Sequence, residues 1–261
     1  MKLFNIPQAP QKIRAIIFDI DSTLYTSKTY AFEQVDCQVR EFARLRKISF
    51  EQARKMVADY RKQYAQEHDG KKISLGNTLL AFGIPISQSV KWRKKLLEPA
   101  DYLCYDQKLV EELSALSDNY KLICVTNNPV LPARKTLDAI GVSRFFPEII
   151  GLDTCFKSKP AIEPFKAALE YLNCKADECV AIGDRYDLDI AIPLEMGMGG
   201  ILVSGVEEVY GLNKLFFNHH ELYQKLCKSP YNKQKLQELQ GLQIEGFYLL
   251  CKFLSIMKIL V

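Results

Sequence analysis

What the chain lacks narrows it first. Its eight cysteines form no C-x-x-C pair, and several, Cys124 and Cys179 among them, fall in expected buried strands. That is reduced usage, with cysteine serving as a small apolar residue, and it predicts a cytoplasmic protein. The opening residues 1–7 carry neither a long apolar run nor a cleavage signal, so secretion is not expected. Charge of either sign is not in large excess: 35 basic against 31 acidic residues give a formal net charge of +4. Such a balance suits an anionic small molecule and is too weak to argue for nucleic acid. There is no internal repeat or low-complexity tract, and no β run interrupts residues 26–105. What remains is 261 residues at 48% hydrophobic content, enough to bury a substantial core. One α/β domain with an inserted or appended part is the expectation.

The stretch Ile16-Ile17-Phe18-Asp19-Ile20-Asp21-Ser22-Thr23-Leu24-Tyr25 organises the rest. Residues 15–18 hold no polar side chain, the pattern of a central strand buried on both faces. Two carboxylates follow at once, where a parallel strand leaves its sheet and where open α/β sheets bind ligands. Residues i and i+2 of an extended chain point the same way, so Asp19 and Asp21 can face one crevice. Held that close they repel unless a cation or a proton joins them; the plain alternative is a strand end with an Asp-Ser turn.

After residue 25 helical periodicity takes over. Apolar stripes predict helices over 31–45, 50–64, 77–82 and 87–97, the second opened by a Ser49…Gln52 capping box. Strands and helices then alternate: helix 109–116, strand 120–125, helix 131–140, strand 148–151, helix 162–172, strand 179–182, helix 188–196, strand 200–203. Such alternation implies a parallel, Rossmann-like sheet with right-handed crossovers.

Three strand ends carry further polar groups. Thr126-Asn127-Asn128 would offer a hydroxyl, an amide and free N–H groups to an anion, although Thr-Asn is also an ordinary helix cap. Lys159 stands just before a helix, where a cation is unfavourable and calls for an anion nearby; Lys157 could take its place, or either could be a solvated loop lysine. Gly183-Asp184 is followed by Asp187 and Asp189, and three acids so close at a strand end need a cation or full solvation.

Phe18-Asp19-Ile20-Asp21-Ser22-Thr23-Leu24 resembles the first motif of the haloacid dehalogenase-like hydrolase superfamily. Thr126 falls on the second motif, Lys159 with Pro160, Pro164 and Phe165 on the third, and Asp184 with Asp189 on the fourth, in order, over residues 14–205. The resemblance implies an α/β core from residues 1–25 and 106–205 and an all-helical cap from 26–105; residues 206–261 lie outside it, and their own pattern predicts a helical C-terminal extension. It implies Asp19 as nucleophile toward phosphorus and Asp21 as general acid and base. Thr126, Asn127 and Lys159 would hold the phosphate. Magnesium would be bound by Asp19, Asp184 and the backbone carbonyl of Asp21, with Asp187 and Asp189 as additional acids.

An acid at position 21 favours a phosphatase or phosphomutase over dehalogenases, which have no ester oxygen to protonate. The expected substrate is a small phosphorylated metabolite. The Asp-x-Asp-x-Thr-Leu-Tyr opening looks like the pyrimidine 5′-nucleotidase branch and a nucleoside 5′-monophosphate. Gly183-Asp184-Arg185-Tyr186-Asp187 looks like the phosphoglycolate-phosphatase pattern instead. A sugar phosphatase, or a non-catalytic scaffold that binds partners through its tail, is the alternative. Specificity is expected from the cap, where Arg40, Arg44, Arg54, Lys71, Lys72, Trp92, Arg93, Tyr60 and Tyr64 are candidates. Residues 247–261 are strongly apolar but short for a membrane span, and Lys252 and Lys258 are costly there. They predict a helix packed on its own core or on a second copy, with membrane-surface association as the alternative.

Overall fold

The computed structural model describes residues 1–4, 13–70 and 73–216. The apolar runs become the middle of a six-stranded sheet: β1 (Lys2–Phe4), β2 (Ala15–Phe18), β3 (Lys121–Val125), β4 (Ile149–Ile150), β5 (Cys179–Gly183) and β6 (Gly199–Leu202), in the order β1-β6-β5-β2-β3-β4. β2 lies at the centre, parallel to β3 and β5, and β2 and β5 are buried throughout. Side chains alternate across the sheet as a period of two requires. Ile16 and Phe18 enter one apolar layer with Leu109, Leu113, Leu137 and Phe146, while Ala15 and Ile17 enter the other with Phe165, Ala168 and Leu172. The layers are supplied by α5 (Gln107–Ser117) and α6 (Val130–Ala139) on one face and α8 (Glu163–Leu172) on the other; a single turn, α7 (Leu152–Cys155), precedes α8. β1, antiparallel to β6, is not expected from sequence, because three edge residues carry no readable periodicity.

Between β2 and β3 the chain forms α1 (Lys28–Arg46), α2 (Phe50–Glu67), α3 (Leu75–Ala81) and α4 (Ile86–Leu96). The expected capping box opens α2: Ser49 and Gln52 bond each other's backbone N–H reciprocally. These helices close their own apolar cluster around Val39, Phe42, Val57, Leu79 and Trp92. The cap candidates sort accordingly. Trp92 is buried in that cluster, Tyr60 packs on Phe82 and Tyr64 stacks on His68. Arg40, Arg44 and Arg54 pair with Glu33, Glu41 and Asp36. Arg93 alone of the described candidates reaches the end of β3, and Lys71 and Lys72 lie outside the described residues.

Two departures concern the C-terminal half. A single helix over 188–196 is replaced by a π-helical turn, Tyr186–Ile190, followed by the short α9 (Ala191–Glu195). Pro193 has no N–H for the carbonyl of Asp189, so a regular helix could not close there. The extension also begins inside the core: past α10 (Val206–Val209), Val206, Val209, Leu212 and Phe216 are buried in the β2–α5 layer. The apolar 247–261 stretch and its self-association lie outside the described residues. Among the described residues, no helix is long and apolar enough to cross a membrane.

Candidate active site

Asp19 is still held in sheet register, its N–H donating to Ile182 O at 2.8 Å. The chain then turns sharply, with Ser22 at φ 60° and Leu24 N–H returning to Ile20 O. Burial of the strand thus fixes the backbone that carries Asp19 and Asp21. Lys159 arrives from the loop before α8, and the Asn127 side chain grips its backbone. Asn127 Oδ1 accepts from Lys159 N at 2.7 Å and Nδ2 donates to Lys159 O at 3.2 Å. Lys159 Nζ, itself buried, donates to Asp19 Oδ1 and Asp189 Oδ1, each at 2.6 Å. Asp189 is aimed back by the π turn, where its Oδ2 accepts from Arg185 N at 3.0 Å. Gly183 makes room for this: a Cβ there would lie 2.3 Å from Asp189 Cβ.

Burial disfavours a charged Lys159, but Asp189 and Asp19 outweigh it and hold the ammonium protonated above its usual range. Burial raises Asp19 well above the carboxylate range, and Asp189 and Asp21 add to the rise against Lys159. Asp184 is pushed up to about 6 by burial and by the charge of Asp189. Carboxylate oxygens of Asp19, Asp184 and Asp189 lie within 4.8 Å of one another. An all-oxygen donor set with excess negative charge fits a hard dication such as magnesium.

Asp21 occupies a different environment. Its Oδ1 accepts from Tyr25 Oη at 2.5 Å and Gln34 Nε2 at 2.7 Å, and its Oδ2 from Asn128 Nδ2 at 2.8 Å. Burial, then the charge of Asp21, raises Tyr25 well above its ordinary value, so the phenol remains a donor. Asn128 is fixed in turn: its N–H donates to Thr126 Oγ1 at 3.1 Å and its Oδ1 accepts from Arg93 Nη1 at 3.0 Å. Arg93 also donates to Asn127 O at 3.1 Å, and Lys94 pairs with Asp153 at 2.7 Å, so α4 clamps onto the strand-end loops.

The structure therefore brings Asp19, Lys159, Asp184 and Asp189 together, with Asp21 beside them and Thr126 buried at the end of β3. Asn127 is adjacent, but its side chain is engaged by the backbone of Lys159. Asp187 stands apart, its side chain 69% exposed and paired only loosely with Arg185 at 3.7 Å. Three site residues fall outside the sequence-based candidates: Tyr25, Gln34 and the side chain of Asn128; Arg93, a candidate only as one of several cap specificity residues, bonds Asn127 and Asn128. Tyr25 carries a weak signal, because a side chain four residues after Asp21 can return to it across a turn. Gln34 carries none, and nothing local marks Arg93 out from the other cap candidates, since only the docking of α1 and α4 brings the two near.

This geometry has relatives. The haloacid dehalogenase-like hydrolase profile matches residues 13–197. A glyceraldehyde 3-phosphate phosphatase of Methanocaldococcus jannaschii is 31% identical over 199 residues, covering 71% of this chain and 82% of its own. The pyrophosphatase PpaX of Halalkalibacterium halodurans is 25% identical over 195 residues, covering 67% and 76%. Among solved structures, magnesium-bound YfnB of Bacillus subtilis superposes with a TM-score of 0.52 at 18% identity, covering 77% of this chain and 99% of its own. With the α/β fold, the ordered strand-end groups and the family match in agreement, the chain belongs to the haloacid dehalogenase-like hydrolases and is an enzyme of their phosphatase type.

Proposed function

We propose that the protein hydrolyses the phosphomonoester of a small phosphorylated metabolite through an aspartyl-phosphate at Asp19. The observation that carries this reading is the division of two strand-end carboxylates between two environments. Asp19 sits in the lysine–acid cluster, and Asp21 sits among neutral donors on the wall of the cavity under the cap. Environments that differ in this way assign different roles to like groups.

Asp19 attacks phosphorus, and the bond from phosphorus to the leaving oxygen breaks as Asp21 donates its proton to that oxygen. Asp21 then takes a proton from the water that attacks the aspartyl-phosphate, which releases phosphate and restores both carboxyl groups. Lys159, Thr126 and the backbone N–H of Asn127 hold the phosphoryl oxygens, and the Asn127 side chain acts by positioning Lys159. Asp19, Asp184 and the backbone carbonyl of Asp21 would hold magnesium, with Asp189 fixing Lys159 beside them. When bound, the ion supplies neutralisation of charge spread over the transferring phosphoryl group. The relative YfnB was solved bound to magnesium, which supports that choice.

The relatives named above act on glyceraldehyde 3-phosphate and pyrophosphate, both small. The small substrates of those relatives make a small phosphorylated metabolite the reading here. The test is phosphate release from p-nitrophenyl phosphate with magnesium. Asp19→Asn is expected to abolish turnover with the fold retained, and excess chelator to suppress it. Full activity in either case would contradict the reading.

A further inference from the structure

The cavity between cap and core, about 560 Å³, is larger than a phosphoryl group needs and suits a small ligand. Its charge is one-sided. Arg61, Arg93, Lys157 and Arg185 line it, against Asp21 as the acid among the described lining residues. The phosphoryl cluster does not require these cations, because Lys159 already lies between Asp19 and Asp189.

Arg61 and Arg185 are the pair without a task. Arg61 projects from α2 of the cap and uses Nε to donate to Ile73 O at 3.2 Å. Unlike Arg40, Arg44 and Arg54, it has no acidic partner among the described residues. Arg185 comes from the core, and its contact with Asp187 is long and exposed. The two guanidinium groups are close enough that the charge of Arg185 adds to burial in lowering Arg61. Like charges turned toward one cavity from two separate layers are unfavourable unless an anion comes between them. Arg93 adds a buried Nε with no hydrogen-bond partner. Guanidinium groups offer paired donors that match carboxylate or phosphate oxygens.

We infer that the substrate carries a second anionic group, a carboxylate or a further phosphate, held by Arg61 and Arg185 in the cavity that Asp21 also lines. This rests on the phosphatase reading above. Bound there, the second anion ties cap to core, so the ester that fits also stabilises the closed arrangement.

The test compares kcat/KM, with magnesium, for 2-phosphoglycolate (a carboxylate), pyrophosphate (a second phosphate), and glyceraldehyde 3-phosphate and glycerol 3-phosphate, which lack a second anion. p-Nitrophenyl phosphate serves as the common reference. One of the two compounds with a second anion should exceed both esters without one by about tenfold or more, and which one does so identifies the group. Arg61→Gln, and separately Arg185→Gln, should lower that ratio about tenfold, chiefly through KM, and Arg61→Lys should restore part of it. Circular dichroism verifies that each variant is folded. Aryl phosphatase activity with a preference for the esters without a second anion, or an equal loss on all substrates in both glutamine variants, would overturn the inference alone. Failure to hydrolyse any of the compounds would overturn the phosphatase reading and the inference with it.

Discussion

Asp19 and Asp21 stand two residues apart and meet different surroundings, and their variants should differ accordingly. Asp21 is surrounded by three neutral donors, Tyr25, Gln34 and Asn128, which fix its carboxylate toward the cavity. As the acid, it matters most where the leaving oxygen is basic. Asp21→Asn is expected to slow an alkyl phosphate by about 10²–10⁴ and p-nitrophenyl phosphate much less. Equal losses on the two would assign Asp21 a purely structural part. Gly183 permits the ion-paired cluster by leaving space for Asp189. Gly183→Ala should displace Asp189 and with it Lys159, lowering kcat by about 10² while the protein stays folded, as a shift near 1 Å can do. A variant with unchanged kcat would show that the cluster tolerates displacement. Asp19, Asp21, Asp184 and Asp189 could be picked out in the sequence because each interrupts or borders an apolar run, and Lys159 because it stands just before a helix on the third motif. Gln34 could not, and Arg93 could not be told from the other cap candidates, since their contacts depend on how helices dock rather than on any local pattern.

At the scale of elements, β2, β5 and, past Lys121, β3 were legible because burial on both faces leaves them continuously apolar. β1 was not, being three residues at an edge. The π turn was hidden for another reason: Leu188 and Ile190 suit a helix, and the break depends on Pro193 together with the pull of Lys159 on Asp189. The extension shows the limit of motif-based boundaries. The motifs end before residue 205, but the apolar layer over β2 takes up Val206, Val209, Leu212 and Phe216. Leu212 is fully buried, so Leu212→Ala should cost about 2–5 kcal/mol in a urea unfolding curve. A loss below about 0.5 kcal/mol, the range of a neutral surface change, would show that these turns are dispensable.

Over the whole molecule, the sheet supplies the reacting groups and the helical insertion supplies the walls around them. Arg93, Gln34 and Lys94 cross from helices to strand-end loops, so closing the cap and orienting Asn128 beside Asp21 are one event. On the proposed function, the chemistry lies in the core and the selection under the cap. The central claim is covalent attack by Asp19, and it is tested most directly by trapping the intermediate. The enzyme is mixed with magnesium and a small phosphomonoester, quenched in acid and reduced with borohydride. Mass spectrometry of the peptide spanning residues 15–28 should find the reduced side chain at Asp19, only when substrate is present. Rapid turnover with no reduced residue, or with the modification on any other side chain, would contradict the account.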